Sequence, residues 1–546
     1  MSVKPNRPQS VTSSRLVSIE VERFKSFEAK TLLELKPLTV ILGRNNSGKS
    51  TLIQSLLLLK QTLAEPRPEV PLHLEGFVNA FNLRELTFGW PQNGAGAPLV
   101  PGPSFALTWE TNIDPRPHLE AAGEPDRANL AKLSGLQDLD PKNWDEPGWP
   151  TWTTLRLETA EVAGTIALKS IELKTEFVHS EATLTLTRSA DRWSCAWNGQ
   201  AAPRITVELD HFIPYLQVDR AKLGPRDKQR AFYNAYLAVM APALEALKML
   251  LGQVQYLGST RSTPPSLYRA SNVAPQELGA SGELAAQLLH RRREDLVHYL
   301  PSLELSAGGV TVPRRIRERK LVDAVNDTLV ALSIDTALSV QDIHEVGFRL
   351  LFGEASIAHV GRGLTYLLPL IELGLFADPL RFTAVGDDLS LEAYSDRCPS
   401  TTHLALEEPE AHLHPKVQSR LAHWLVSLAM SNRQVTVETH SDHLVRRLRG
   451  LIARAGRGSY LEKWLRDNVS IVEVDQDESG CSTITNTRLT ADGGLEARWP
   501  KDFMDEASDE DDAIYYARLS KSPPPDSEPE PLIIHDDGPE PEPEGD

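Results

Sequence analysis

Apolar and polar residues alternate along Leu16–Phe27 (LVSIEVERFKSF), the spacing of a strand with one buried face. Leu38–Leu42 (LTVIL) is apolar without a break, as a central strand covered on both faces requires. From Lys49 to Leu63 the leucines return at helical spacing, so a strand, a glycine-rich turn and a helix follow one another. Between about 100 and 215 the short segments 154–158, 166–177, 182–187 and 193–197 predict antiparallel strands. Helical patterns follow over 226–255, 282–299 and 315–332, and a strand-like stretch over 339–352. Apolar α/β-type sequence then runs to about 474. Neither an internal repeat nor a sustained heptad is present. The pattern predicts an α/β fold with an antiparallel β lobe and an inserted helical subdomain, and no long coiled coil.

Composition changes this picture little. With 41% hydrophobic and 24% charged residues the chain reads as a globular protein large enough for two or three domains. No run of about 18 apolar residues occurs, and 1–14 lacks the apolar core of a leader, so a cytoplasmic protein with no membrane span is expected. Three scattered cysteines (Cys195, Cys398, Cys481) fit a reducing compartment. The net charge of −18 is mostly a tail property: 501–546 holds 16 acidic and 3 basic residues, leaving 59 against 54 in the first 500. The Pro/Glu/Asp-rich stretch 522–546 is expected to be a disordered, solubilising tail.

The strongest chemistry lies in the first turn. Gly43-Arg44-Asn45-Asn46-Ser47-Gly48-Lys49-Ser50 fits the phosphate-binding loop G-x-x-x-x-G-K-[ST] at every fixed position. Glycines let backbone N–H groups turn towards phosphates, Lys49 supplies a point charge, and the Ser50 hydroxyl is placed to ligate Mg²⁺. Gly43, Asn45, Asn46, Ser47, Gly48, Lys49, Ser50 and Thr51 are the expected ATP-binding set. A second apolar strand ends in two adjacent carboxylates, Glu407 and Glu408. Glu407 is expected to hold Mg²⁺ and Glu408, turned differently, to polarise the attacking water as general base. A third strand, Gln434 onward, delivers His440 at the carboxyl edge where open α/β sheets bind ligands, with His443 on the following helix. His440 is expected to touch the γ-phosphate; a metal cluster of His412, His414 and His440 is the weaker alternative.

Taken together, Arg23–Phe27 (RFKSF), the phosphate-binding loop, Glu407–Pro415 (EEPEAHLHP) and Thr439–Leu444 (THSDHL) resemble the ABC-type ATPases of the SMC, RecF and OLD group, also called the AAA-15 and AAA-21 types. The resemblance implies an SMC-head-like P-loop fold, Glu407–Glu408 as a Walker B pair, His440 as a switch and Glu410–Pro415 as a D-loop. Val360–Pro369 (VGRGLTYLLP) is similar to the group's degenerate signature, with Thr365 and Tyr366 where Ser and Gln are usual. Gly361, Gly363 and Thr365 would then close in trans on ATP held by a second subunit, in a head-to-head homodimer or a higher homo-oligomer. Tyr256–Pro264 and Leu495–Asp505 resemble a bacterial branch with a C-terminal module; for Arg261 and Trp499 a core or interface position is expected. The glutamine expected between the two halves of such a head has no clear position here.

The implied organisation is a flexible N-terminus (1–14), a first head segment (15–100), a β-rich lobe (101–225), a helical subdomain (226–335), a second head segment (336–475), a C-terminal module (476–515) and an acidic tail (516–546). Asp475-Gln-Asp477 imitates a nuclease motif, but DQDESG also suits a plain hairpin turn. Stand-alone members of the group resemble ATPase subunits of anti-phage systems, which implies control of a separate nuclease or toxin, with DNA as a further partner. Two other readings stay open: a RecF-like DNA-binding repair ATPase, favoured by a basic groove, and an ATP-binding scaffold without turnover.

Overall fold

The computed structural model describes residues 11–90, 99–113, 149–177, 180–189, 192–219, 227–270, 275–306, 309–344, 346–381, 383, 389–496 and 513. The chain divides into units 1–499 and 500–546, and everything below concerns the first. Trp499 and the acidic tail lie outside the described residues.

A six-stranded sheet carries the three apolar strands read from the sequence. Its order is β12 (Gln255–Leu257), β20 (Thr402–Glu407), β21 (Arg433–Glu438), β3 (Leu38–Gly43), β22 (Val469–Gln476) and β23 (Ser482–Thr487). The first five strands run parallel and β23 is antiparallel at the edge. β3, β20 and β21 are buried along their whole length, as strands covered on both faces must be. Register aligns Glu407 with Glu438 and Glu438 with Ile41, so the loops after β3, β20 and β21 open at one edge.

The eight-stranded antiparallel sheet runs in the order β2 (Thr31–Glu34), β1 (Val11–Glu22), β4 (Val100–Ile113), β5 (Trp149–Val162), β6 (Thr165–Phe177), β7 (Ser180–Ser189), β8 (Arg192–Trp197) and β9 (Gln200–Ala201). The β lobe is therefore not a separate insertion over 101–225, because the N-terminal strands share its hydrogen-bonding ladder. β1 begins at Val11, inside the stretch expected to be flexible, because its ladder with β4 starts at the Val11–Ile113 pair. A short hairpin, β10 (Ile205–Asp210) and β11 (Ile213–Val218), follows.

Helix α1 (Lys49–Ala64) follows the phosphate loop. Helices α2 (Lys228–Ala235) and α3 (Ala241–Gly252) are joined through a π turn, 236–240, into one long helix. That helix is long and apolar enough to cross a bilayer, but two thirds of its apolar window is buried within the protein. Trp109 Nε1 donates to the Ala243 carbonyl at 2.9 Å, so a core helix explains it. β12 belongs to the central sheet although it falls inside the expected helical subdomain, and β23 likewise falls inside the expected C-terminal module.

The helix read over 282–299 divides into α4 (Ala285–Arg292) and β13 (Leu296–Tyr299), and that over 315–332 into β16 (Arg317–Lys320) and α5 (Leu321–Ala331). The cause is pairing between β13 and β16, which takes both helix ends. Two small antiparallel sheets, β14 (Glu304–Ser306) with β15 (Gly309–Thr311) and β17 (Leu338–Ile343) with β18 (Gly347–Phe352) and β19 (Ala355–Ser356), complete this part. The helices that follow are α6 (Arg362–Phe376), α7 (Leu391–Arg397), α8 (Pro415–Met430) and α9 (Asp442–Arg454), with α10 (Tyr460–Asn468) leading into β22.

Candidate nucleotide site

The loop between β3 and α1 takes conformations that its glycines permit. Gly48 caps α1 at φ 101°, and a Cβ there would lie 2.5 Å from Ser26 Oγ and 2.8 Å from Ser482 Oγ. Two flanking segments brace the loop. Ser482 Oγ donates to the Ser47 carbonyl at 2.6 Å, and Ser482 N donates to the Ser26 carbonyl at 2.7 Å. Phe24 and Phe27 are fully buried and pin the turn between them, which leaves Lys25 and Ser26 facing a cavity of about 310 Å³. Lys25, Ser26, Asn46, Gly48, Lys49, Ser50, Thr51, Gln54, Glu438 and Gln476 line it. Gly43 and Ser47 are buried, Asn45 is exposed, and Lys49 Nζ donates to the Gly43 and Arg44 carbonyls at 3.0 and 2.6 Å.

Glu407 and Glu408 leave the end of β20 in different directions. Glu408 sits at φ 45°, a left-handed conformation costly for a residue with a side chain, and its N–H donates to the Glu438 carbonyl at 2.8 Å. Glu407 is 7% exposed and accepts from Ser259 N at 3.3 Å and from the Tyr256 hydroxyl. Burial raises its carboxyl pKa. Arg261, 6% exposed, donates from Nη2 to the Glu407 carbonyl at 3.0 Å. Burial pushes its guanidinium down to about 10, against the pull of Glu407, Tyr256, Glu408 and Tyr366. The buried position expected for Arg261 thus lies inside the site. β12 runs beside β20, so the loop 258–261 meets Glu407 where the sequence offered no glutamine.

Glu438 is a site residue that the sequence reading missed. Glu438 ends β21 and accepts from Ser50 Oγ at 3.0 Å, so it, not Glu407, touches the serine expected to ligate magnesium. Burial, then Glu407, pushes its carboxyl up to about 7, while Ser50 and Lys49 oppose. A glutamate at the inner end of a fully apolar strand, level with Glu407, was the available signal. Lys49 is the reciprocal case, its ammonium pKa lowered by burial and raised by Glu438 and Glu408.

His440 lies two residues beyond Glu438, the last residue of β21; it is exposed, and its N–H donates to Glu410 Oε1 at 2.7 Å. Loss of hydration lowers the imidazole pKa, as does Lys49, while Glu408 raises it. Ser441 caps α9 and donates to Gln418 Oε1 at 2.7 Å, joining α9 to α8. His443 is on α9, as read. Among the described residues no three His, Cys, Asp or Glu side chains are grouped to hold a metal, so His412, His414 and His440 do not form a cluster. Asp477 instead closes the β22–β23 turn, accepting from Ser479 N and Cys481 N at 2.9 Å each.

The expected signature lies against the D-loop of its own chain. A Cβ on Gly363 would lie 2.7 Å from the His412 carbonyl, and the Tyr366 and His412 rings meet edge-on at 4.9 Å. Gly361 caps α6 with no atom within 4 Å of its Cβ position. Thr365, expected in the trans signature, is 8% exposed and its hydroxyl donates to the Arg362 carbonyl at 2.8 Å, inside its own helix.

Residues 15–88 and 390–445 match the family model described as an AAA ATPase domain. Over these two stretches the chain is similar to an AAA ATPase domain. Those two stretches hold the phosphate loop, Glu407, Glu408, Glu438 and His440. No curated protein matches the chain. Among solved structures it is similar to an SmcHead bound to the C-winged helix domain of ScpA (12% identity, 87% of this chain and 98% of that one, TM-score 0.36). It is also similar to a Pyrococcus furiosus Smc head domain with an extended coiled coil, bound to the C-terminal domain of ScpA (11%, 92% and 100%, 0.34). A third is the SMC head domain from Thermotoga maritima (11%, 86% and 98%, 0.31).

Proposed function

We propose that the protein binds and hydrolyses ATP with magnesium at the edge where β3, β20 and β21 end. The observation that carries this reading is the meeting of Lys49, Ser50 and Glu438 in one cleft, with Glu407 coupled to Glu438 and with Glu408 and His440 in electrostatic reach of Lys49.

The residues fit a divalent cation. Glu407 Oε1 and Glu438 Oε2 are buried and have no hydrogen-bond partner. Leaving two neighbouring buried carboxylates unpaired costs several kcal/mol, and a cation between them and the Ser50 hydroxyl removes that cost. Ser50, Glu438 and Glu407 would hold magnesium, which supplies charge neutralisation at the β- and γ-phosphate oxygens. Lys49 would leave the Gly43 and Arg44 carbonyls to meet the same oxygens. Glu408, held apart from Glu407 by its left-handed backbone, would orient and deprotonate the attacking water. Glu410 accepts from the backbone N–H of His440, and the imidazole would lie beside the transferred phosphoryl group.

Gly361 and Gly363, at the start of α6, would close on a second subunit's nucleotide, making ATP the link of a head-to-head dimer and hydrolysis its release. The resemblance to anti-phage ATPases extends this to control of a separate effector. The test measures ATP turnover and solution mass for wild type and Glu408→Gln. Hydrolysis by wild type, with an ATP-bound dimer accumulating in the variant, is the expected result. Equal turnover in both would remove Glu408 from its role, and absence of ATP binding would remove the whole reading. For the effector, a nuclease or toxin encoded beside this chain should co-purify with it in an ATP-dependent way.

A further inference from the structure

Glu408 stands at φ 45°, a left-handed conformation that a residue with a side chain keeps only where its surroundings hold it. The peptide plane joining it to Glu407 is held at both ends. The Glu408 N–H donates to the Glu438 carbonyl at 2.8 Å, and the Glu407 carbonyl accepts from Arg261 Nη2 at 3.0 Å. The first grip is backbone on backbone and does not depend on residue type. The second depends on one side chain, in the loop that follows β12. The same stretch, 256–261, also reaches the Glu407 carboxylate through Ser259 N and the Tyr256 hydroxyl, so it grips Glu407 at both its carboxylate and its carbonyl.

Packing does not account for an arginine at this position. Its side chain is buried, and Nη1 has no hydrogen-bond partner among the described residues. Burial lowers its pKa to about 10, so the folded chain holds the charged guanidinium at a cost. An apolar side chain of similar length would fill the space without that cost. It could not donate to the Glu407 carbonyl, nor set a positive charge within electrostatic reach of Glu407 and Glu408.

We propose that Arg261 is a positioning residue for hydrolysis, clamping the Glu407–Glu408 peptide so that Glu408 stays turned from the cation site towards the attacking water. The inference rests on the reading of Glu408 as general base. Arg261 is not among the residues that line the phosphate cavity, so it acts through Glu408 and not on the nucleotide. Without the clamp the peptide plane is free to rotate and Glu408 relaxes out of the left-handed region. Its carboxylate then spends less of its time in line for proton transfer. Lys49 and the phosphate loop are untouched, so the chemical step should slow while ATP affinity stays.

The experiment is a double-mutant cycle on the full chain with magnesium. It reads kcat and KM for ATP, and affinity for a non-hydrolysable analogue. Arg261→Met keeps the length of the side chain but removes donor and charge; Arg261→Lys keeps both. Arg261→Met is expected to lower kcat about 10- to 100-fold, part of the roughly hundredfold to ten-thousandfold that a general base supplies. Its KM and analogue affinity should stay within about threefold of wild type, which also shows that it is folded. Arg261→Gln takes its place in the cycle if it is not. Arg261→Lys should recover most of the lost kcat. In the Glu408→Gln background, Arg261→Met should change the residual turnover by less than about twofold, since nothing is left to position. Three results overturn the proposal: wild-type kcat in Arg261→Met, equal falls in kcat and analogue affinity, or a further loss of about tenfold on top of Glu408→Gln. Wild-type turnover in Glu408→Gln would remove the general base and this inference with it. A slow Glu408→Gln beside a fast Arg261→Met removes this inference alone.

Discussion

Helices α1 and α6 both begin on a glycine without a side-chain cap, and their surroundings are opposite. Gly48 is held at φ 101°, hemmed in by Ser26 and Ser482, and the N–H groups beyond it face a cavity that this chain walls on several sides. Gly361 has φ −59°, a conformation open to any residue, with empty space where a side chain would stand. The first helix start is finished by its own fold. The second offers its N–H groups outward, as a surface completed by another molecule would. An anion site built from one chain should fail when its glycine changes, whereas a shared site should fail only in turnover.

The largest effect tests that difference directly. Lys49→Ala removes the phosphate charge but leaves α6 intact, and Gly361→Trp blocks α6 but leaves the phosphate loop intact. Each alone should reduce ATP turnover at least about a hundredfold, the scale of removing one electrostatic partner of the transferred group. Mixed in equal amounts, they should recover roughly a quarter of wild-type turnover, because half the dimers are mixed and each holds one whole site. Zero recovery would mean that each chain works alone and that the two helix starts do not meet.

Alanine at each glycine separates binding from turnover. In Gly48→Ala the left-handed backbone costs about 1–3 kcal/mol, and the clash with Ser26 adds to it, so nucleotide affinity should fall about 5- to 150-fold. Gly361→Ala should bind ATP within about twofold of wild type and be slowed only in hydrolysis. Calorimetric titration with a non-hydrolysable analogue reads the first quantity and phosphate release the second. Equal falls in affinity for the two variants would erase the distinction between the two glycines.

Glu438 gives a smaller effect with a defined sign. Its carboxyl is pushed from 4.5 up to about 7, so the folded state holds the proton more tightly than the unfolded chain. The resulting stabilisation is fully present below about pH 4.5 and is lost as pH rises through about 7, worth about 3 kcal/mol. Burial raises Glu407 and Glu410 in the same direction. In chelator, therefore, the wild-type Tm should fall as pH goes from 5 to 7.5, and Glu438→Gln should show a shallower fall. Added magnesium should flatten the wild-type curve more than that of the variant, since the cation holds the carboxylate ionised. Identical slopes for the two proteins would take Glu438 out of the cation site.

Much of the head was legible because its strands obey simple rules. Unbroken apolar runs predicted buried parallel strands, and the phosphate loop has a fixed spacing whose glycines are required by the backbone. Glu438 was hidden for the opposite reason: its chemistry comes from register, which places it level with Glu407 and against Ser50, and register is not written in spacing. Arg261 was legible as buried but not as part of the site, since only the parallel pairing of β12 with β20 brings it to Glu407. The split of the expected helices at 296–299 and 317–320 has the same origin, a strand pair formed between segments about 20 residues apart.

Thr365 should give the smallest effect, and it sharpens the α6 half of the comparison. A signature residue that reached across to a nucleotide would need a free hydroxyl, but the Thr365 hydroxyl is buried and donates to the Arg362 carbonyl one turn back. Thr365→Ser keeps that bond and should leave turnover within about twofold. Thr365→Ala removes one hydrogen bond, about 1 kcal/mol of stability, and should lower Tm by about 1 °C without a matching fall in turnover. A drop of tenfold or more in turnover for alanine, with Tm unchanged, would mean that the hydroxyl turns outward when a second subunit closes. The N–H groups at Gly361 would then share the work with a side chain, which the arrangement in the single chain does not require.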